Sequence, residues 1–184
     1  MRIAIIDESP ARAAVIREGL EASGLAEIMV LSHRIGLVSR IEEFAPDVIL
    51  IDLGNPQRDE LEELFAVSRA LSRPVAMFVD RTCDAAMEAA IDAGVSAYVV
   101  DGLKAERIRP IVDLAIKRFN AFARLKAELH EARSALAERE AIDAAKALLM
   151  KKRGLEEPAA YAALRKSAMD SGRKIADVAD ALLT

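Results

Sequence analysis

The chain has 184 residues, is 53% hydrophobic but only 4% aromatic, and carries no tryptophan, one cysteine and a formal net charge of −4. That length holds one ordinary domain and a small second one, and the lone Cys83 excludes an internal disulfide and suits a reduced, cytoplasmic setting. No run of about 18 apolar residues predicts a membrane span, and the opening MRIAIIDESP is too short and too acidic for a signal peptide.

Arg2–Ile6 is a short apolar run closed by Asp7 and Glu8, which predicts a buried strand. Ala11–Ser23 has helical period and stops at Gly24; Ile28–Leu31 is a second strand, and Gly36–Phe44 a second helix halted by Pro46. Val48–Asp52 (VILID) is a third strand, Glu60–Leu71 a helix, Val75–Val79 a fourth strand, Asp84–Ala93 a helix ending at Gly94, and Ala97–Val100 a fifth strand. Strand alternating with helix five times predicts an α/β domain, a doubly wound five-stranded parallel sheet covered on both faces. Such sheets work in the crevice beyond the carboxyl ends of their strands, where Asp7, Glu8, Asp52, Asp80 and Asp101 fall. The ends of strands one and three are neighbours, so Asp7, Glu8 and Asp52 are expected to form an acid pocket with oxygen ligands suited to Mg²⁺. No other cofactor is implied.

This arrangement resembles the receiver domain of two-component response regulators over residues 1–120, a flavodoxin-like fold. The resemblance puts Asp52 at the phosphoacceptor position and Asp7 and Glu8 at the metal-binding acids. Two family positions differ. Where the end of strand four carries Thr or Ser, this chain has Val79 followed by Asp80; where strand five ends in Lys, it has Asp101-Gly102. An aspartate in the lysine's place repels a phosphoryl group, at a cost on the order of 4 kcal/mol for like charges about 4 Å apart at an effective dielectric near 20. The expectation is a pseudo-receiver whose Asp52 is not used for phosphorylation and whose fold serves as a docking platform.

From Lys104 to Lys152 there is no glycine, and Pro110 lies near the start, which predicts one long helix. Within it Phe122, Leu125, Leu129, Ala132 and Leu136 follow 3-4 spacing, with mixed charges on either side. Residues 121–138 therefore read as a short coiled-coil linker helix, and this seam is expected to pair two copies of the chain.

Residues 139–184 read as three short helices broken at Lys152-Arg153-Gly154 and Asp170-Ser171-Gly172. Pro158, with Glu156 and Glu157, marks the start of the middle one. The apolar stripes are Ile142, Ala145, Leu149; Tyr161, Leu164, Ala168; and Ile175, Val178, Leu182. Residues 146–184 hold eight basic and five acidic side chains, a local net of +3 on an acidic protein. Such a basic face suits a polyanion. Lys146, Arg153, Arg165, Lys166, Arg173 and Lys174 are the expected phosphate contacts.

AKALLMKKRGLEEPAAYAALRKSAM followed by RKIADVA resembles the ANTAR domain, the RNA-binding module of bacterial transcription antiterminators. The resemblance implies a three-helix domain that binds paired hairpins in a nascent mRNA leader as a homodimer. VAMFVD, GVSAYVVDGL and RFNAFARL further resemble the nitrate-responsive NasT type, related to AmiR, in which an inhibitory ligand-binding sensor protein releases the regulator when its ligand is present. An unstacked loop base could stack on Tyr161, although its place on the apolar stripe favours core packing. The contrasting possibility is a phosphorylation-dependent response regulator that binds DNA, since three short helices mimic helix-turn-helix; Asp177 and Asp180 on the last helix speak against it. His33 and His130 are isolated surface residues, and no nucleophile–base pair suggests an enzyme.

Overall fold

A computed structural model describes residues 1–22, 24, 27–33, 36–54 and 58–184; Ser23, the last residue of the expected first helix, lies outside them. The chain divides into two compact units, Met1–Phe122 and Ala123–Thr184. The first contains strands β1 (Arg2–Ile6), β2 (Glu27–Leu31), β3 (Val48–Leu53), β4 (Val75–Val79) and β5 (Ala97–Val100), all parallel, in the order β2-β1-β3-β4-β5. Helices α1 (Pro10–Glu21), α2 (Leu37–Phe44), α3 (Arg58–Ala70) and α4 (Asp84–Asp92) connect them, and α5 begins after β5.

The strands read as unbroken apolar runs because the sheet is covered twice. Side chains alternate across it. Ile3, Ile5, Val48, Leu50 and Phe78 face Ile16 and Leu20 of α1 and Ile108, Val112 and Ala115 of α5. Ala4, Ile6, Ile49, Ile51 and Met77 face Ile41 of α2, Leu64 and Phe65 of α3 and Ala90 of α4. Each such fully buried Ile or Leu contributes about 1.5–3 kcal/mol, which fixes the register and hence the edge at which β1, β3 and β4 end.

Helix α5 (Ala105–Arg153) runs unbroken for 49 residues and continues into the second unit. Pro110, its sixth residue, removes one bond to the carbonyl of Glu106. The second unit adds α6 (Glu157–Ser171) and α7 (Ile175–Leu183). Its core is small: Ala145 and Leu149 of α5, Ala160 and Leu164 of α6 and Ala179 of α7, flanked by Ile142, Ile175 and Val178. Gly154 and Gly172 end α5 and α6 with φ of 65° and 64°, the left-handed geometry that lets the chain reverse without a Cβ clash.

Two expectations for this core are corrected. Tyr161 is 43% exposed, and Ala160 takes the buried place beside Leu164 and Ala168. The helices approach closely enough that alanine fills the contact, so the α6 stripe turns by one residue. Leu182 is likewise exposed, because α7 seats Ala176 and Ala179 instead.

Gly19 of α1 marks another close approach: a Cβ there would lie 2.4 Å from the backbone oxygen of Ala105. Helix propensity alone favours Ala over Gly by about 1 kcal/mol. Overpacking against a backbone atom outweighs it, so Gly19→Ala is expected to destabilise the first unit by about 1–3 kcal/mol in urea unfolding.

Candidate functional site

Asp7 and Asp52 stand at the ends of β1 and β3, both buried, as the parallel register requires. A third group joins them that the sequence pattern did not single out. Arg12, one turn into α1, donates from Nε to Asp52 Oδ2 at 2.6 Å and from Nη2 to Asp52 Oδ1 at 2.7 Å. Its Nη1 also lies 2.9 Å from Asp80 Oδ1 and 3.0 Å from Asp80 Oδ2. The forked guanidinium thus grips one buried carboxylate with two parallel bonds and a second, exposed one with its remaining nitrogen. Hydrogen bonding to Asp52 raises the Arg12 pKa further still, so it is charged at every working pH. The pocket holds a cation after all, delivered by α1 rather than by β5.

Glu8 is exposed, and among the described residues no three acid, His or Cys side chains gather as a metal-ligand set. Both Asp52 oxygens already accept from Arg12, so the donor set does not fit Mg²⁺ as arranged. Asp101 is exposed, in left-handed backbone with φ of 48°. The first hydroxyl after β4, that of Thr82, lies 3.0 Å from the Tyr98 hydroxyl.

Asp7 differs from Asp52. Its Oδ1 accepts from the Ser9 backbone N–H at 2.7 Å, while its buried Oδ2 has no hydrogen-bond partner among the described residues. Burial, reinforced by the neighbouring Asp52 charge, pushes the Asp7 carboxyl up to about 6. A proton on the orphan oxygen relieves both costs.

In the second unit, the basic residues divide into three groups. Arg165, Arg173 and Lys174 come together on an open cleft of about 620 Å³ between α5, α6 and α7, floored by Ile142, Ala168 and Ile175. Arg173 donates to the Asp177 carbonyl at 3.1 Å, and Lys174 lies 3.8 Å from Glu138; Arg165 has no protein partner among the described residues. Arg153 and Lys166 are exposed and likewise unpaired among the described residues, outside the cleft. Lys146 stands apart: its ammonium is 2.7 Å from both Asp143 and Glu157, tying α5 to α6. It is engaged within the protein, which a count of charges along the chain does not reveal. Tyr161, Arg165 and Met169 recur every four residues on α6, and the Tyr161 and Met169 side chains are 43% and 72% exposed. On α5, Phe122 is 73% exposed, and Leu125, Leu129, Ala132 and Leu136 are exposed with it.

The sheet order and its helices define a receiver-type fold. A CheY-like response regulator receiver domain protein from Methanospirillum hungatei superposes with a TM-score of 0.56 at 17% identity, over 65% of this chain and 96% of that one. Residues 130–183 match the ANTAR domain family. The chain thus carries an ANTAR domain after a domain of receiver-type fold. It is 28% identical to the transcriptional regulatory protein PdtaR of Mycobacterium tuberculosis over 146 residues, 79% of this chain and 71% of that one. It is 36% identical to the nitrate regulatory protein of Klebsiella oxytoca over 76 residues, 41% of this chain but only 19% of that one. Among the described residues, no helix is long and apolar enough to cross a membrane.

The Asp7 carboxyl has a pH signature. Its folded value of about 6 lies above the ordinary 3.8, so the folded domain holds a proton that the unfolded chain releases. The resulting stabilisation is complete below about pH 4 and is lost as the pH rises through 6. Asp7→Asn keeps the Ser9 bond and never ionises. It is expected to be more stable than the parent at pH 7.5 by about 3 kcal/mol, with the advantage gone at pH 4, in urea unfolding of both proteins.

Proposed function

We propose that this protein is a cytoplasmic, RNA-binding transcription antiterminator whose ANTAR domain binds paired hairpins in a nascent mRNA leader. The observation that carries the reading is the cleft where Arg165, Arg173 and Lys174 converge on an apolar floor within an ANTAR domain. A hairpin loop presents phosphates and unstacked bases together. Arg165 meets a phosphate, and Tyr161, exposed one turn earlier on the same face, offers a ring for stacking. Lys166 and Arg153 extend the phosphate track; Lys146 holds the domain together.

Control in this reading comes from a sensor protein that binds the receiver and releases the regulator with its ligand. The names of the relatives, a transcriptional regulatory protein and a nitrate regulatory protein, support transcriptional control and a nitrate or nitrite signal. Release lets two copies pair along α5, where four exposed large apolar side chains lie within about four turns. The receiver acts by docking, without catalysis by the chain.

Neutralising Arg165 and Lys166 to Gln is expected to leave helicity unchanged and to weaken binding to a two-hairpin leader RNA. The slope of log K against log salt should fall by about 0.7 for each phosphate that is no longer neutralised. Lys146→Gln should instead lower the unfolding midpoint with little change in slope. Unchanged affinity and slope in the well-folded double variant would move the binding face elsewhere, and tighter binding to the duplex DNA copy would favour a DNA-binding regulator.

Leu125→Lys with Leu129→Lys places unpaired ammonium groups in the seam. Sedimentation should show weaker self-association, with RNA affinity falling in parallel although neither residue touches RNA. Equal assembly of variant and parent would exclude α5 as the pairing element.

A further inference from the structure

We infer that Arg12 occupies a latent divalent-cation site at the carboxyl edge of the sheet and thereby closes this receiver to metal-dependent chemistry. The inference rests on the pocket's own geometry and holds whatever the ANTAR domain binds.

Two buried carboxylates, Asp7 and Asp52, and the exposed Asp80 bring to this edge the oxygen donors that hard cations favour, but with Arg12 among them they do not gather as a three-ligand set. In this chain the guanidinium already sits there, 2.6–2.7 Å from both Asp52 oxygens and 2.9 Å from Asp80. Its fork matches the carboxylate plane, and its charge cannot be titrated away. A divalent ion beside Asp52 would face a fixed positive charge at contact distance and would lose both Asp52 oxygens to a competing donor. Gly54 borders the fork: a Cβ there would make an ordinary 3.8 Å contact with Arg12 Nη1 and a tight 3.3 Å contact with Asp80 Oδ2, which the carboxylate relieves by shifting a few tenths of an ångström.

The position of Arg12 gives the occupation a mechanical effect. One side chain fastens the first turn of α1 to the end of β3, through Asp52, and to the residue after β4, through Asp80. Asp80 also donates its backbone N–H to the Gly54 carbonyl at 3.0 Å, so the segment leading to α4 is held twice. The surface formed by these segments is fixed by a bond that needs neither metal nor phosphate.

The test is thermal unfolding of the full chain with and without MgCl₂ at about 10 mM, ionic strength matched with NaCl. The parent is expected to show no Mg²⁺-dependent shift. Arg12→Ala leaves Asp52 buried without its partner and should lower the first transition by about 10 °C. Mg²⁺ should then restore at least half of that decrease, because binding only the folded form stabilises it. Arg12→Lys keeps the charge without the fork and should remain insensitive to Mg²⁺. Should Arg12→Ala fail to fold, Arg12→Gln removes the charge while keeping a donor, and is expected to gain the same Mg²⁺ response. Adding Asp52→Asn to whichever variant responds should abolish the response. A Mg²⁺ shift of several degrees in the parent, or none in both Arg12→Ala and Arg12→Gln, would overturn the inference.

Discussion

The ion pair between Arg12 and Asp52 is the contact on which the receiver half depends, because the topology makes it necessary. Parallel strands all deliver their carboxyl ends to one edge, so Asp7, Asp52 and Asp80 arrive there together. Left alone, such carboxylates repel at a cost on the order of 4 kcal/mol per close pair at an effective dielectric near 20. The same topology supplies the remedy. Only Asp7, Glu8 and Ser9 separate β1 from α1, and Pro10 starts the helix at once, which places Arg12 one turn above the edge. Asp7, which the guanidinium does not reach by hydrogen bond, resolves its share of the repulsion by holding a proton nearer neutrality than a carboxyl ordinarily does.

The architecture was legible in the sequence because its signals are redundant. Each strand is an apolar run with a turn residue or acid at its end, and five such runs between amphipathic helices leave few alternatives. That Asp7 and Asp52 meet at one edge followed from strands one and three being neighbours. The cation was not legible. Arginine's long arm can lie along a helix, reach into solvent or cross a sheet edge, and helical period is silent on the choice. The signal available was indirect: Asp101 stands where the resemblance expected lysine, so a positive charge had to come from another element.

In the ANTAR half, what the sequence concealed was pairing across a turn. Lys146 looks like one more cation in a basic run until the reversal at Gly154 brings Glu157 to it. The cleft residues Arg165, Arg173 and Lys174 come from two sides of the turn at Gly172, and their convergence depends on that second reversal. Tyr161 was misplaced for a steric reason. A stripe counted by hydrophobicity prefers the large ring, whereas two helices in close contact prefer the methyl of Ala160. The apolar row on α5 was legible because its 3-4 spacing persists from residue 122 to 136, and the structure leaves Phe122, Leu125, Leu129 and Leu136 exposed.

An alanine-built core has a thermodynamic corollary. The buried set in the ANTAR unit comprises two leucines, Leu149 and Leu164, among alanines, and full burial of each leucine contributes only about 1.5–3 kcal/mol. A ligand present at a hundred times its dissociation constant adds about 2.7 kcal/mol to whatever it binds, as much as one of those leucines. Occupancy of the cleft is therefore commensurate with the internal packing of the domain. With the proposed RNA in the cleft, protection from the proteases that sample the unfolded fraction would follow the concentration of that RNA as well as the protein's own sequence.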